Sequence, residues 1–268
     1  MDTGRNNPHA KTYAVKVDGE MPRTNVFLFV EPEKHYLNYS SCVIREIISA
    51  NRRPNQTIVE LKGEDANPET INREIERTDP IFFWATGHGS PTKYTCECTQ
   101  TYLEVGNPNI RKMVGRIIQL NSCNTAKTLG PHLIENGVLA YFGSREPFWF
   151  YIGSPPCSDR ASKAVFLCEH EIARSLMRGY PTRTAWENSQ KRYDEEIEYW
   201  LTGPGKNHPH AEVLVRLLTI NKHISTMLGS QTATITTPSP LLVRIPSPTM
   251  LSITATATIL GIVLSTGW

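Results

Sequence analysis

Two apolar segments of this sequence each end in a side chain that can act in nucleophilic catalysis. The aromatic run 81–85 leads into a glycine-flanked histidine, His88, and the run 116–120 leads into Cys123. A cysteine attacks as its thiolate, and a nearby histidine can take the thiol proton. The pair therefore predicts a Cys/His site for acyl transfer, with Cys123 as nucleophile and His88 as its base.

Backbone groups beside this pair are expected to stabilise the reaction. The amides of Gly89 and Cys123 can donate to a developing oxyanion, and a glycine lets the backbone approach closely. The pattern 125–135 predicts a helix directly after Cys123, whose N-terminal amides would favour a negative sulfur. A single histidine or cysteine at a strand end is usually structural, so it is their joint placement that indicates a function.

The elements that must position the pair alternate along the chain. Strands are predicted at 25–30, 57–61, 81–85, 116–120 and 138–143, with helices between them and an additional short helix at 109–114. Further helices are predicted at 161–178, 182–201 and 211–228, and possible edge strands at 12–17 and 233–235. Such alternation is typical of an α/β fold whose mostly parallel central sheet has helices on both faces. In these sheets functional groups collect at the carboxyl ends of the strands, where His88 and Cys123 both fall.

The ends of the chain differ in composition from its centre. Residues 1–24 form a polar lead without the apolar core of a signal peptide, and 25–236 is predicted to be one domain. Residues 237–249 form a Pro/Ser/Thr-rich linker. The uncharged, apolar tail 250–268 is either a membrane span or a disordered, sticky segment. A C-terminal span would anchor the domain to a membrane, on its cytoplasmic side.

Composition argues against several other classes of protein. Lysine and arginine number 28 against 26 acidic residues, without a basic stripe, so nucleic-acid binding is not expected. The six cysteines form no recognisable disulfide framework. An isolated Cys96-x-Cys98 pair is a weak zinc signal, and we expect neither a metal nor a cofactor. Cys42 and Cys168 fall in helical apolar patterns and are predicted to be small buried side chains.

The histidine block 84–90, the cysteine block 120–123 and the run 137–144 together resemble caspase-fold cysteine peptidases. Among these the sequence is most similar to the gingipain-type family, which carries Thr-Gly-His-Gly-Ser on the histidine strand and a cysteine at the end of the next strand. A stretch from Leu217 through Asn221 to Gly229 extends the resemblance, which covers about 25–235. It implies a three-layer caspase-like sandwich, catalytic His88 and Cys123, an oxyanion hole at Gly89 and Cys123, and a peptide or protein substrate.

Substrate preference is open at this stage. Related families place an acidic residue two positions before the cysteine, where it binds a basic side chain, but this chain has Asn121. Glu146 and Asp159 are candidates to supply charge, and Trp149 to wall a pocket, although an aromatic loop is as readily explained by core packing. Two alternatives remain: an inactive caspase-fold scaffold at a membrane, and an α/β enzyme that uses the cysteine for another acyl transfer.

Overall fold

The structure is a computed structural model that describes residues 11–13, 26–31, 38–96, 100–153 and 159–235. Most of the lead, the linker and the tail 250–268 lie outside these ranges, so the membrane span stays a prediction. Within the described ranges, no helix is both long enough and apolar enough to cross a bilayer.

The elements follow one another in the order that the sequence predicts for an α/β fold. The strands are β1 (Lys11–Tyr13), β2 (Val26–Glu31), β3 (Thr57–Lys62), β4 (Phe82–Thr86), β5 (His88–Gly89), β6 (Lys93–Thr95), β7 (Thr101–Glu104), β8 (Ile117–Asn121), β9 (Ala140–Ser144) and β10 (Ser225–Gly229). The helices are α1 (Asn38–Asn51), α2 (Pro68–Thr78), α3 (Leu129–Glu135), α4 (Arg160–Glu169), α5 (Glu171–Met177), α6 (Thr182–Leu201) and α7 (Ala211–Ile224). Pro108–Met113, predicted as a short helix, forms a 3-10 helix.

A seven-stranded sheet in the order β1-β3-β2-β4-β8-β9-β10 organises the described part of the chain. The inner strands of this sheet, β3, β2, β4, β8 and β9, run parallel to one another. The edge strands β1 and β10 pair with them in antiparallel orientation. The predicted α/β class, with a mostly parallel central sheet, is confirmed. A second sheet, β5-β6-β7, was not predicted and holds the segment that follows β4.

Helices cover both faces of the central sheet, as predicted, because its strands are apolar on both sides. Alternate side chains of β4 divide between the layers: Phe83 lies in the core shared with α2 and α3. Phe82 and Trp84 lie in the core shared with α1, α4 and α5. Full burial of one such side chain contributes about 1.5–3 kcal/mol, so the two layers hold β4 and β8 firmly from opposite sides.

Local capping explains why the chain turns where it does before β4. Asn67 accepts a hydrogen bond from the Thr70 amide at 3.0 Å, and Pro68 occupies the first turn of α2. The helix ends at Asp79, which adopts a left-handed conformation with φ 44°. Arg116 pairs with the Asp79 carboxylate at 2.8 Å, which joins this turn to the start of β8.

The helix predicted directly after Cys123 begins later than expected, at Leu129, and has only seven residues. The intervening amides are used elsewhere, since Asn124 donates to the Glu146 carbonyl and Ala126 donates to the Ser144 carbonyl. This segment is therefore pinned to the end of β9 rather than coiled. The prediction that helix N-terminal amides stabilise the Cys123 sulfur is wrong.

Three other predicted boundaries are also wrong. The helix predicted at 161–178 is divided at His170, whose buried ring is fixed by Trp84 of β4 and Ser40 of α1. The helix predicted at 211–228 ends at Ile224, because the following residues pair with β9 as β10. Residues 233–235, predicted as a strand, form none, although the Ala233 carbonyl accepts from Thr182.

The cysteines differ from the expectation at one position. Cys42 is buried in α1 as predicted, but it is disulfide-bonded, and its partner lies outside the described residues. Cys96, Cys123 and Cys168 are not disulfide-bonded. Burial raises the pKa of the Cys168 thiol well above its usual value, in keeping with its predicted role as a small core side chain.

Candidate active site

The two predicted catalytic segments leave the sheet side by side. β4 and β8 are hydrogen-bonded neighbours, with Thr86 opposite Asn121. Beyond the ladder, the Gly87 amide donates to the Asn121 carbonyl at 3.3 Å. His88 follows at once, as the exposed first residue of β5, and Cys123 follows half-buried.

Gly89 brings the histidine segment into contact with the cysteine. A Cβ atom placed on Gly89 would lie 2.4 Å from the Cys123 carbonyl oxygen and 3.1 Å from the Cys123 nitrogen. Real Cβ atoms do not approach so closely, so only glycine allows this approach. The structure therefore packs the backbones of the two predicted oxyanion-hole residues against each other.

The loop after β9 reaches the sulfur itself. The Phe148 amide donates to Cys123 Sγ at 3.3 Å, and the Phe148 ring packs on Phe166 of α4. This hydrogen bond fixes the position of the sulfur relative to the loop after β9.

Asn221 of α7 fixes that loop, and the residue-level reasoning missed it. Its buried side chain accepts from the Trp149 amide at 3.1 Å and donates to the carbonyls of Trp149 and Leu217. The side chain thus pairs with one loop residue in both directions, as a neighbouring strand would. Only the stretch 217–229, which resembles the end of gingipain-type domains, marked this position in the sequence.

A buried hydrogen-bonded chain supports the end of β4. Trp84 Nε1 donates to His170 Nδ1 at 3.2 Å, so the ring proton of the neutral histidine is assigned to Nε2. His170 Nε2 then donates to Ser40 Oγ at 2.7 Å, and Ser40 lies 3.2 Å from Thr86 Oγ1. Burial lowers the pKa of His170 to about 3, which keeps the ring uncharged beneath the site.

The residues considered for substrate binding occupy different surroundings. Asn121 is buried at the end of β8, and neither the nitrogen nor the oxygen of its side-chain amide has a hydrogen-bond partner among the described residues. Glu146 pairs with Lys127 at 3.0 Å on the surface, while its carbonyl accepts from Asn124. The Trp149 side chain is 53% exposed, next to the residue that contacts Cys123.

Asp159 has a structural role at the start of α4. Its carboxylate accepts from the amides of Ala161 and Ser162 and from the Ser162 hydroxyl. Burial acts to raise the pKa of this carboxyl, but these hydrogen bonds and the charge of His208 outweigh it, so the pKa lies below its ordinary value. The predicted supply of charge to a substrate is untested by this arrangement.

No group of three or more potential metal-ligating side chains occurs among the described residues. Cys96 is buried and bonds to the Gln100 carbonyl, while Cys98 lies outside the described ranges. The contacts of Cys96, the described member of the Cys96-x-Cys98 pair, thus give no support to a zinc site.

Comparisons with known proteins add little to this site. No protein-family model matches the chain, and no curated protein matches it. An inactive zymogen C11 protease from Parabacteroides distasonis is similar over 61% of each chain, with 11% identical residues and a TM-score of 0.37. The similarity thus leaves more than a third of that protease unmatched and carries no argument about activity.

Proposed function

We propose that this protein is a cysteine endopeptidase that hydrolyses peptide bonds through Cys123 and His88. The contact of the Gly89 backbone with Cys123 carries the proposal, because it holds the histidine segment against the cysteine at the carboxyl ends of two parallel strands. The Phe148 amide on Cys123 Sγ adds support, since it holds the sulfur in place beside the histidine segment.

The reaction would proceed through an acyl-enzyme. His88 takes the thiol proton, Cys123 Sγ attacks the carbonyl carbon of the scissile bond, and the oxyanion accepts from the amides of Gly89 and Cys123. His88 then gives its proton to the departing amine. A water molecule, deprotonated by His88, attacks the thioester, which releases the carboxylic acid and restores the thiol.

The substrate would be a peptide or protein segment lying across the carboxyl ends of β4 and β8. Trp149 offers an exposed aromatic surface beside the nucleophile, where an apolar part of the substrate can pack. The Trp149 amide donates to the buried Asn221 side chain, and that side chain donates to the Trp149 carbonyl, so the loop is ordered before the substrate binds.

Cleavage of a peptide library followed by mass spectrometry tests the proposal. Wild type and the variant Cys168→Ala, which removes a buried thiol of α4, should cleave the same bonds, and Cys123→Ala and His88→Ala should cleave none. Peptidyl electrophiles should label wild type at Cys123. Wild type that neither cleaves nor reacts would instead indicate an inactive scaffold, and transfer of the acyl group to an amine or thiol would indicate another acyl-transfer enzyme.

A further inference from the structure

The disulfide partner of Cys42 is one of two residues. Of the six cysteines in the chain, three are not disulfide-bonded, namely Cys96, Cys123 and Cys168. The partner lies outside the described residues, which leaves Cys98 and Cys157. The Cα atoms of a disulfide lie no more than about 7 Å apart, so the described neighbours of each cysteine decide between them.

One face of α1 is in contact with the chain that leads into α4. Tyr39, Cys42 and Glu46 are three and four residues apart, so they lie on the same face of the helix. At one end of this face the Tyr39 hydroxyl donates to the Gly153 carbonyl at 3.1 Å. At the other end Lys163 of α4 pairs with Glu46 at 2.6 Å. Cys42 lies between the two contacts and therefore faces the connection from Gly153 to Lys163.

Cys157 belongs to this connection. A Cβ atom placed on Gly153 would lie 2.9 Å from Asp159 Oδ2. The segment that contains Cys157 therefore begins and ends beside Tyr39. Cys157 is four residues from Gly153 and two from Asp159, and a chain covers at most about 3.6 Å per residue. Cys42, one helical turn from Tyr39, is thus within its reach.

Cys98 has its described neighbours on the other face of the central sheet. Cys96, two residues earlier, is buried in the core shared with α2 and α3. Its amide and its sulfur both bond to the Gln100 carbonyl, so the chain on either side of Cys98 is held together there. The side chains of α1 pack into the core on the opposite face of the sheet. Cys98 would have to reach Cys42 from beyond the sheet, so the contacts favour Cys157.

The connection that contains Cys157 also carries the candidate substrate surface. We call residues 145–159, between β9 and α4, the β9–α4 loop. At its near end the Phe148 amide donates to Cys123 Sγ, and the exposed Trp149 is held by Asn221. A covalent bond from Cys157 to α1 would fix the far end of the same loop.

We propose that Cys42 is bonded to Cys157, and that this bond holds the β9–α4 loop in the form that receives the substrate. The pairing is independent of activity, whereas the role of the bond rests on the proposed peptidase function. A loop that is ordered in advance loses less conformational entropy when a substrate binds. Without the bond, reactions that use the loop should slow, while the reaction of Cys123 with a small reagent should not.

Peptide mapping of the alkylated, unreduced wild type by mass spectrometry tests the pairing. It should yield one linked pair of peptides, containing Cys42 and Cys157, together with an alkylated Cys98. Alkylation of the unfolded variants should label Cys42 in Cys157→Ala but not in the matched control Cys98→Ala. A linked pair of Cys42 with Cys98 would overturn the pairing, and the wild-type map decides even if a variant fails to fold.

Rates of Cys123 labelling test the role of the bond in the double variant that combines Cys42→Ala with Cys157→Ala. A peptidyl electrophile should label this variant at least about 10-fold more slowly than wild type, because a displacement of 1 Å can cost about 100-fold. Iodoacetamide should label both proteins at nearly the same rate. Cys98→Ala should match wild type with both reagents. The double variant should also unfold at a temperature lower by about 5–15 °C, so labelling is measured well below its transition.

The outcomes separate the bond from the proposed function. Equal peptidyl rates in wild type and the double variant, or an equal fall with both reagents, would overturn the role of the bond in the loop. Wild type that reacts with iodoacetamide but with no peptidyl electrophile would overturn the peptidase and with it that role. The pairing of Cys42 with Cys157 would still be decided by the peptide map.

Discussion

Substitution of Gly89 by alanine should disable the site without unfolding the protein. The added Cβ would lie 2.4 Å from the Cys123 carbonyl oxygen, whereas an ordinary carbon–oxygen contact is about 3.3 Å. The other near neighbour, Thr125, cannot yield easily, because its hydroxyl accepts from Tyr141 at 2.7 Å and lies 3.1 Å from Ser122 Oγ. The segments of His88 and Cys123 must therefore move apart by about 1 Å, a displacement that can cost about 100-fold in rate.

The assay compares kcat/KM and the rate of Cys123 labelling in wild type, Gly89→Ala and a control, Gly106→Ala. Gly106 has a positive φ of 83°, but a Cβ there would meet no atom within 4 Å. The control should lose about 1–2 kcal/mol of stability in urea unfolding while keeping its activity. Gly89→Ala should lose about 100-fold in both rates. Activity of this variant within threefold of wild type, with a native unfolding profile, would refute the close approach of the two segments.

Three further predictions concern the surroundings of the site. Asn221→Ala should release the Trp149 loop and lower kcat, with little loss of stability beyond that of the control Asn188→Ala. The control removes a side-chain hydrogen bond to Ser175, outside the site. Equal kcat in the two variants would contradict the role of Asn221 in holding the loop. Burial lowers the pKa of His170 to about 3, so the stability that its neutral ring supports is present above pH 6.5 and is lost as the pH falls toward 3. Burial raises the pKa of Glu169 to about 7 despite its hydrogen bond from Tyr193, so its contribution is present below pH 4.5 and is lost as the pH rises through 7. In urea unfolding between pH 4.5 and 6.5 the two slopes oppose each other, and Glu169→Gln should steepen the rise of stability with pH; an unchanged slope would show that Glu169 is not buried as described. Alkylation of the unfolded, unreduced chain should leave Cys42 unlabelled and should label it after reduction, and labelling before reduction would exclude the disulfide.

The order of strands and helices could be predicted because buried strands and helices have different spacings of apolar residues in the sequence. The continuous apolar run of β4 is buried on both faces, so only a parallel sheet between helices explains it. The start of α2 has an equally local cause, the capping side chain of Asn67 followed by Pro68. Both features depend on residues close together in the chain, and the predicted strand 81–85 differs from β4 by one residue at each end.

Long-range partners explain what the sequence did not reveal. The end of α4 depends on His170 meeting Trp84 and Ser40, which come from other elements far away in the chain. The strand β10 forms only because the edge of β9 is available to pair with it, and helical periodicity alone extends α7 through those residues. In the same way, the amides after Cys123 bond to the end of β9, which a pattern of apolar spacing cannot show.

The disulfide at Cys42 bears on the redox conditions in which the protein is studied. Disulfides persist in oxidising compartments and are rare in the cytosol, and the cytoplasmic location predicted from the sequence stays a prediction. A free half-buried Cys123 under oxidising conditions is exposed to oxidation to sulfenic acid or to a mixed disulfide. A peptidase of this design should therefore be isolated partly inactive and recover on mild reduction, at reductant concentrations that leave Cys42 paired. Activity that does not rise on mild reduction would show that Cys123 is not oxidised in the isolated protein.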